Sequence, residues 1–195
     1  MVLLIEKLKG KNIILASQSP RRRELLAGLG LEFSTISLDI DESFDREVYK
    51  ANQITEYLSA KKANAYSDLK ANDIIITSDT TVWANEESLE KPEDREDAYR
   101  MIKALSNKTH SVYTSVTIKS LTKEVTFTDE TKVTFAELFD EEIYFYIDQY
   151  KPFDKAGAYG IQEWIGYIGV EKIEGSYFNV MGLPVQKLYK ELQQF

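Results

Sequence analysis

The sequence predicts an α/β fold with a mixed β-sheet. Two patterns carry this. Short apolar runs of strand length alternate with segments of helical periodicity, as in crossover units. Residues 111–135 instead alternate apolar and polar positions through Val112, Thr114, Val116, Ile118, Val125, Phe127, Thr131, Val133 and Phe135. That period of two reads as a long hairpin turning near Leu121-Thr122-Lys123, so antiparallel pairing joins the parallel kind.

The elements follow in order. Residues 12–16 form a short buried strand, and Ser17-Gln18-Ser19 a loop. Ser19 suits an N-cap and Pro20 the first helical position, where a missing N–H costs nothing. Leu25, Leu26 and Leu29 supply the buried stripe of that helix, and Gly28 and Gly30 end it. A second strand is expected at 33–38, an acidic loop at 39–42, and a second helix over 52–69 with Ile54, Leu58, Ala65 and Leu69 on one side. Ile74-Ile75-Ile76 marks a third strand buried on both faces. The chain extends again through Val82-Trp83-Ala84 and turns at Asn85-Glu86. Pro92 is expected to begin a third helix, with Glu93 and Asp94 in its first turn and Ala98, Met101, Ile102 and Leu105 buried. After the hairpin come a helix over 140–150, strands between 166 and 173, and a closing helix over 184–192. No repeat or low-complexity linker interrupts the chain, and 195 residues suit one domain over 1–195, with room for two lobes around a central cleft.

Composition narrows the chemistry. With 24 basic and 32 acidic residues the net charge is -8, which argues against a stable nucleic-acid complex. There is no Cys, and His110 is the only histidine, so disulfides, thiol nucleophiles and zinc clusters are excluded. Chemistry falls to carboxylates, Lys, Arg, hydroxyls or a hard cation. No apolar run has the ~20 residues that span a bilayer, and Val2-Leu3-Leu4-Ile5 is too short for a signal-peptide core. A cytoplasmic protein without membrane partners is expected.

Three constellations stand out. Arg21-Arg22-Arg23 occupies the first turn of the helix after Ser17-Gln18-Ser19. Cations there oppose the helix dipole, while the free N–H groups and forked guanidiniums suit phosphate. Ser78-Asp79-Thr80 follows a buried strand, where α/β sheets place ligands, and Asp79 with Asp41 or Glu42 could offer hard oxygens to Mg²⁺ or Mn²⁺. Residues 154–162, Asp-Lys-Ala-Gly-Ala-Tyr-Gly-Ile-Gln, combine two glycines with a lysine and the Gln162 amide. From the residues alone this is a hydrolase or binder of an anionic ligand. His110, between a helix end and a strand, reads as a capping or packing residue, and Tyr144, Phe145 and Tyr146 as core or interface aromatics.

Ala16-Ser17-Gln18-Ser19-Pro20-Arg21-Arg22-Arg23-Glu24-Leu25-Leu26 resembles the opening signature of the Maf family of nucleoside triphosphate pyrophosphatases. The resemblance continues in order through Ser78-Asp79-Thr80, Glu90-Lys91-Pro92, Leu105-Ser106 with Thr109-His110, residues 154–162, and Gly175-Ser176-Tyr177 to Gly182-Leu183-Pro184. It implies hydrolysis of a nucleoside triphosphate to monophosphate and pyrophosphate with Mg²⁺ or Mn²⁺. It also implies an elongated mixed sheet flanked by helices, similar to inosine triphosphate pyrophosphatases, and a homodimer. By the same resemblance Ser17, Arg21 and Arg22 bind phosphates, and Glu42 and Asp79 serve metal and water, with Asp79 the general base. Lys62 and Lys91 balance charge in the cleft, and Gln162 places nucleotide or water. Asp79-Thr80 and residues 157–162 match the subgroup acting on dTTP and UTP, whereas Ser78 is shared with the 7-methyl-GTP subgroup. Thr81 stands where Val is common, and Glu163-Trp164 where Gly usually follows Gln162. The expectation from another class is a nucleotide-binding regulator of cell division without turnover.

Overall fold

A computed structural model describes residues 2–195. The chain runs α1 (Leu4–Lys7), β1 (Asn12–Ala16), α2 (Pro20–Ala27), β2 (Phe33–Ile36), α3 (Asn52–Ala65), β3 (Asp73–Ala84), β4 (Glu87–Leu89), α4 (Arg95–Leu105), β5 (Thr109–Lys119), β6 (Glu124–Phe135), α5 (Asp140–Tyr150), a 3₁₀ turn (Ala156–Ala158), α6 (Trp164–Gly169), β7 (Val170–Glu174), α7 (Tyr177–Val180) and α8 (Val185–Leu192). The strands form one sheet of order β2-β1-β3-β5-β6-β7, with β4 on β3. β1 lies parallel to β2 and β3, and the other pairings are antiparallel, so the sheet is mixed as the sequence predicts.

One detail of the register places the site. β3 pairs with β1 only through Ile76 and with β4 only from Val82 onward. Its other edge is zipped to β5 from Ile75 to Trp83. Thr77 to Thr81 therefore have no strand partner on one side, and the sheet carries a gap there.

Apolar packing gathers on either side of the gap. Leu15, Leu26, Ile74, Ile118 and Leu188 tie α2 and α8 to the sheet. Val82, Ile102, Phe135, Ile143 and Ile147 tie α4 and α5 to its far end. The face under α3 is joined largely by hydroxyls. Thr55 Oγ1 lies 2.7 Å from Ser115 Oγ, Thr77 donates to the Ser59 carbonyl at 2.7 Å, and Thr117 donates to Ser59 Oγ at 3.1 Å. Each is paired, which spares it the ~1–3 kcal/mol cost of an orphaned buried polar group.

Several boundaries differ from the sequence reading, beginning with the second strand, which ends at Ile36 and not Leu38. The second helix stops at Ala65, four residues early, and Tyr66 and Leu69 instead cover Ile14 and Ile75. The third helix begins at Arg95 and not Pro92, because the Asp94 carboxylate caps it by accepting from Asp97 N–H at 2.8 Å. Between 166 and 173 the chain is helical to Gly169 and extended only afterwards. Gly166 explains this. A Cβ there would sit 1.8 Å from the Ile161 carbonyl oxygen, so a glycine at this point lets the helix begun at Trp164 lie against the preceding turn.

His110 packs as expected: it is 3% exposed, its Nε2 lies 2.8 Å from Tyr159 Oη, and its ring meets Phe135 edge-on. Burial pushes its imidazole from the ordinary 6.5 down to about 4. Between those values the unfolded chain binds the extra proton, so stability falls as pH drops through that window and levels off below it. Going from pH 7 to pH 5 should cost about 2 kcal/mol through this group. Urea unfolding at both pH values should show His110→Gln losing about that much less than wild type. Equal losses would contradict it.

Candidate active site

The gap beside β3 opens into a cleft of about 640 Å³ lined by the loop after β1, the start of α2, α3, β3, Lys91, the 3₁₀ turn and Gly182. Ser17, Arg21, Arg22, Glu42, Lys62, Asp79, Lys91 and Gln162 all line it, whereas Asp41, the alternative to Glu42, is exposed with its carboxylate turned to Ser43. Arg23 does not line it and is exposed. Five cations, Arg21, Arg22, Lys62, Lys91 and Lys155, face four carboxylates, Glu42, Asp79, Glu90 and Asp154. On a chain of net charge -8 this is a locally cationic concavity, suited to an anion.

Arg22 is set by its surroundings. Ser19 caps α2 as predicted, its Oγ accepting from Arg22 N–H at 3.4 Å. The guanidinium reaches across the gap, where Nη2 donates to Thr80 Oγ1 at 3.0 Å and Nε to the Gly182 carbonyl at 2.8 Å. Burial lowers its pKa and Asp79 acts in the opposite sense. Two donors orient the fork, and the remainder of its five are left for a ligand. Arg21 is tied at the rim to Asp154, with Nη1 to Oδ2 at 2.8 Å.

Asp79 and Glu42 meet at Lys62. Its ammonium lies 2.7 Å from Asp79 Oδ1 and 3.0 Å from Glu42 Oε1. Burial pushes the Glu42 carboxyl up, but Lys62, with Lys91 and Arg22, outweighs this and holds it below its ordinary value. Lys62 thus bridges two acids, a specific form of the charge balance expected of it. The two carboxylates are hard-oxygen donors in a phosphate-sized cleft. They fit a divalent cation of the kind bound by one or two carboxylates together with substrate phosphates. Among the described residues no group of three or more His, Cys, Asp or Glu could form an all-protein cage.

The segment before α6 closes the cleft. Gly157, at φ +67°, sends its N–H to the Glu90 carbonyl at 3.1 Å, and a Cβ there would strike Val82 at 2.9 Å. The backbone next to Lys91 is thereby pinned to the 3₁₀ turn. Lys155 bridges Asp154 at 2.7 Å and Glu163 at 3.2 Å. Burial pushes the Asp154 carboxyl up, but Lys155 and Arg21 outweigh it and hold the group at about 2. Tyr146 donates to Glu163 and accepts from Gly160 N–H at 2.9 Å, which fixes the loop leading to Gln162. Burial and then Glu163 raise the Tyr146 phenol. Gln162 Oε1 is buried without a protein partner, an acceptor awaiting a donor.

Several participants escaped the sequence reading. The Gly182 carbonyl leaves no trace in residue type, and Tyr146 reads there as core. Glu163 did carry a signal, as an acid where glycine is usual.

Known proteins resemble this chain along nearly its whole length. A protein of Parabacteroides distasonis named dTTP/UTP pyrophosphatase is 53% identical over 194 residues, covering 98% of this chain and 100% of its own. Proteins of the same name from Flavobacterium johnsoniae and Phocaeicola vulgatus are 52% and 50% identical. They cover 97% and 98% of this chain, and 98% and 100% of their own. The pattern of Maf-like proteins matches residues 12–195, and with it the chain belongs to the Maf family.

Proposed function

We propose that this protein hydrolyses dTTP and UTP to the monophosphate and pyrophosphate. One observation carries the reading: Asp79 stands beside Lys62 and Arg22 in a cationic cleft large enough for a nucleotide. The names of the half-identical relatives support turnover over a purely regulatory role.

In this mechanism Ser17, Arg21 and Arg22, placed by the start of α2, hold the phosphate chain. Asp79 uses Oδ1 on Lys62, leaving Oδ2 to take a proton from the attacking water. Lys62 and Lys91 offset the negative charge that gathers as the α–β anhydride breaks. Gln162 Oε1 accepts a hydrogen bond from the water or from the nucleotide. Glu42 and Asp79 would hold Mg²⁺ or Mn²⁺, whose bound form supplies charge neutralisation on the phosphates. The reading also includes two lobes about the cleft, a homodimer and a cytoplasmic location; no helix among the described residues is long and apolar enough to cross a membrane.

Purified protein should release pyrophosphate, not single phosphates, from dTTP and UTP, and lose this with EDTA. Preference for 7-methyl-GTP would overturn the substrate assignment.

Asp79→Asn keeps the shape but removes the base, and should lower kcat by ~10²–10⁴-fold with folding retained. A fall of only a few-fold in a folded variant would remove Asp79 from that role.

Arg22→Ala should weaken triphosphate binding by roughly 1.5–3 kcal/mol and exceed Arg21→Ala, whose parent guanidinium is already shared with Asp154. Arg23→Ala should match wild type in a steady-state assay. A worse defect in Arg23→Ala would break the phosphate assignment.

A further inference from the structure

We propose that Thr114 and Asn179, neither of which lines the cleft, are positioning residues for Arg22. This rests on the reading of the cleft as a triphosphate site and names what aims one of its cations.

Arg22 differs from its neighbour in how it is held. Arg21 is paired with a carboxylate, that of Asp154. Arg22 instead donates to neutral oxygens, Thr80 Oγ1 and the Gly182 carbonyl. Neutral acceptors fix the direction of a guanidinium without cancelling its charge, so that charge stays available to an anion. Without them Arg22 would have another partner within range, since burial lowers its pKa and Asp79 opposes that shift.

Both holds lead back to one atom. Thr80 Oγ1 lies 2.9 Å from Thr114 Oγ1, and Thr114 donates to the Asn179 carbonyl at 3.0 Å. A hydroxyl has one hydrogen. With that of Thr114 spent on the carbonyl, the hydrogen between the two threonines is that of Thr80, whose oxygen then accepts from Arg22. The chain runs one way, from guanidinium through two hydroxyls to a carbonyl, and every hydrogen in it has an acceptor. The same Asn179 carbonyl accepts from Gly182 N–H at 2.9 Å. That bond closes the turn in which Gly182, at φ +107°, presents its own carbonyl to Arg22 Nε.

Asn179 is fixed in its turn. It is fully buried, and Nδ2 donates to the Val112 carbonyl on β5 at 3.0 Å and to Thr131 Oγ1 on β6 at 2.9 Å. Ser176 Oγ accepts from Asn179 N–H at 3.3 Å, and Thr131 donates to the Ser176 carbonyl at 3.0 Å. Asn179 Oδ1 has no partner, a cost that a residue serving packing alone would not carry. The sheet thus holds Asn179, and Asn179 holds both grips on Arg22.

The test removes the middle of the chain. Thr114→Val, with Thr114→Ala as the variant that cannot overfill the site, leaves the Asn179 carbonyl bonded to Gly182 N–H but takes away the acceptor of the Thr80 hydrogen. The dissociation constant for base-free tripolyphosphate, read by calorimetry, should rise about fivefold. KM for dTTP should rise by the same factor, with kcat within about threefold, and Thr114→Ser should keep both binding values near wild type. In an Arg21→Ala background the loss should persist, whereas in Arg22→Ala it should vanish. Unchanged binding in folded Thr114→Val and Thr114→Ala, or an equal loss with Arg22 absent, overturns the positioning role. The same couplings in a protein that does not cleave dTTP would leave that role standing and overturn the hydrolytic reading. Wild-type protein that binds no tripolyphosphate would overturn both.

Discussion

The fold depends on a break in pairing along one strand. β3 is 12 residues long, and on the side of the cleft β1 covers its beginning and β4 its end. A bare sheet edge invites unwanted association, so proteins normally cover it. Here the edge faces inward, and the side chains of α2, α3 and the Gly182 segment surround it. Because β5 pairs continuously behind the gap, the opening exists without loss of support. The cleft is thus a consequence of strand lengths, and the residues at 77–81 were bound to be its floor.

An open edge also lets one strand serve two chemistries. Ser78 and Thr80 turn to one face, where Ser78 donates to the Gly182 carbonyl at 3.2 Å and Thr80 receives Arg22. Asp79 and Thr81 turn to the other, toward Lys62 and Ser88. In a fully paired strand these faces would be separated by the sheet. At the gap they meet, so a phosphate-holding guanidinium and a carboxylate base approach one ligand from opposite sides.

Much of this was legible in the sequence where the cause was local. Ser19 and Pro20 define the start of α2, and Asn85-Glu86 the hairpin turn, through their own side chains and backbone. Asp79 and the arginines were legible because their charges lie at strand and helix ends. The misses have non-local causes. Asp94 outcompeted Pro92 as the helix start through a side-chain bond, and Gly166 lets a helix lie against the Ile161 carbonyl where strands were expected. Lys62 bridges Glu42 and Asp79, 20 and 17 residues away, a triad that only the tertiary fold assembles.

The hydroxyl layer beneath α3 was equally hidden, since Thr in a strand reads as β-propensity and says nothing of its partner. Its consequence bears on the site. Helix α3 carries Lys62 at its basic end and is fastened to β3 and β5 by directed bonds from Thr55, Ser59, Thr77 and Thr117. Apolar contacts alone tolerate small slides of a helix along a sheet, whereas a bonded register leaves its donors unpaired when shifted. The bonded register thus holds the helix where Lys62 meets the Asp79 carboxylate at 2.7 Å. The polar interface therefore trades hydrophobic burial for registry, and it does so under the helix whose Lys62 pairs with Asp79.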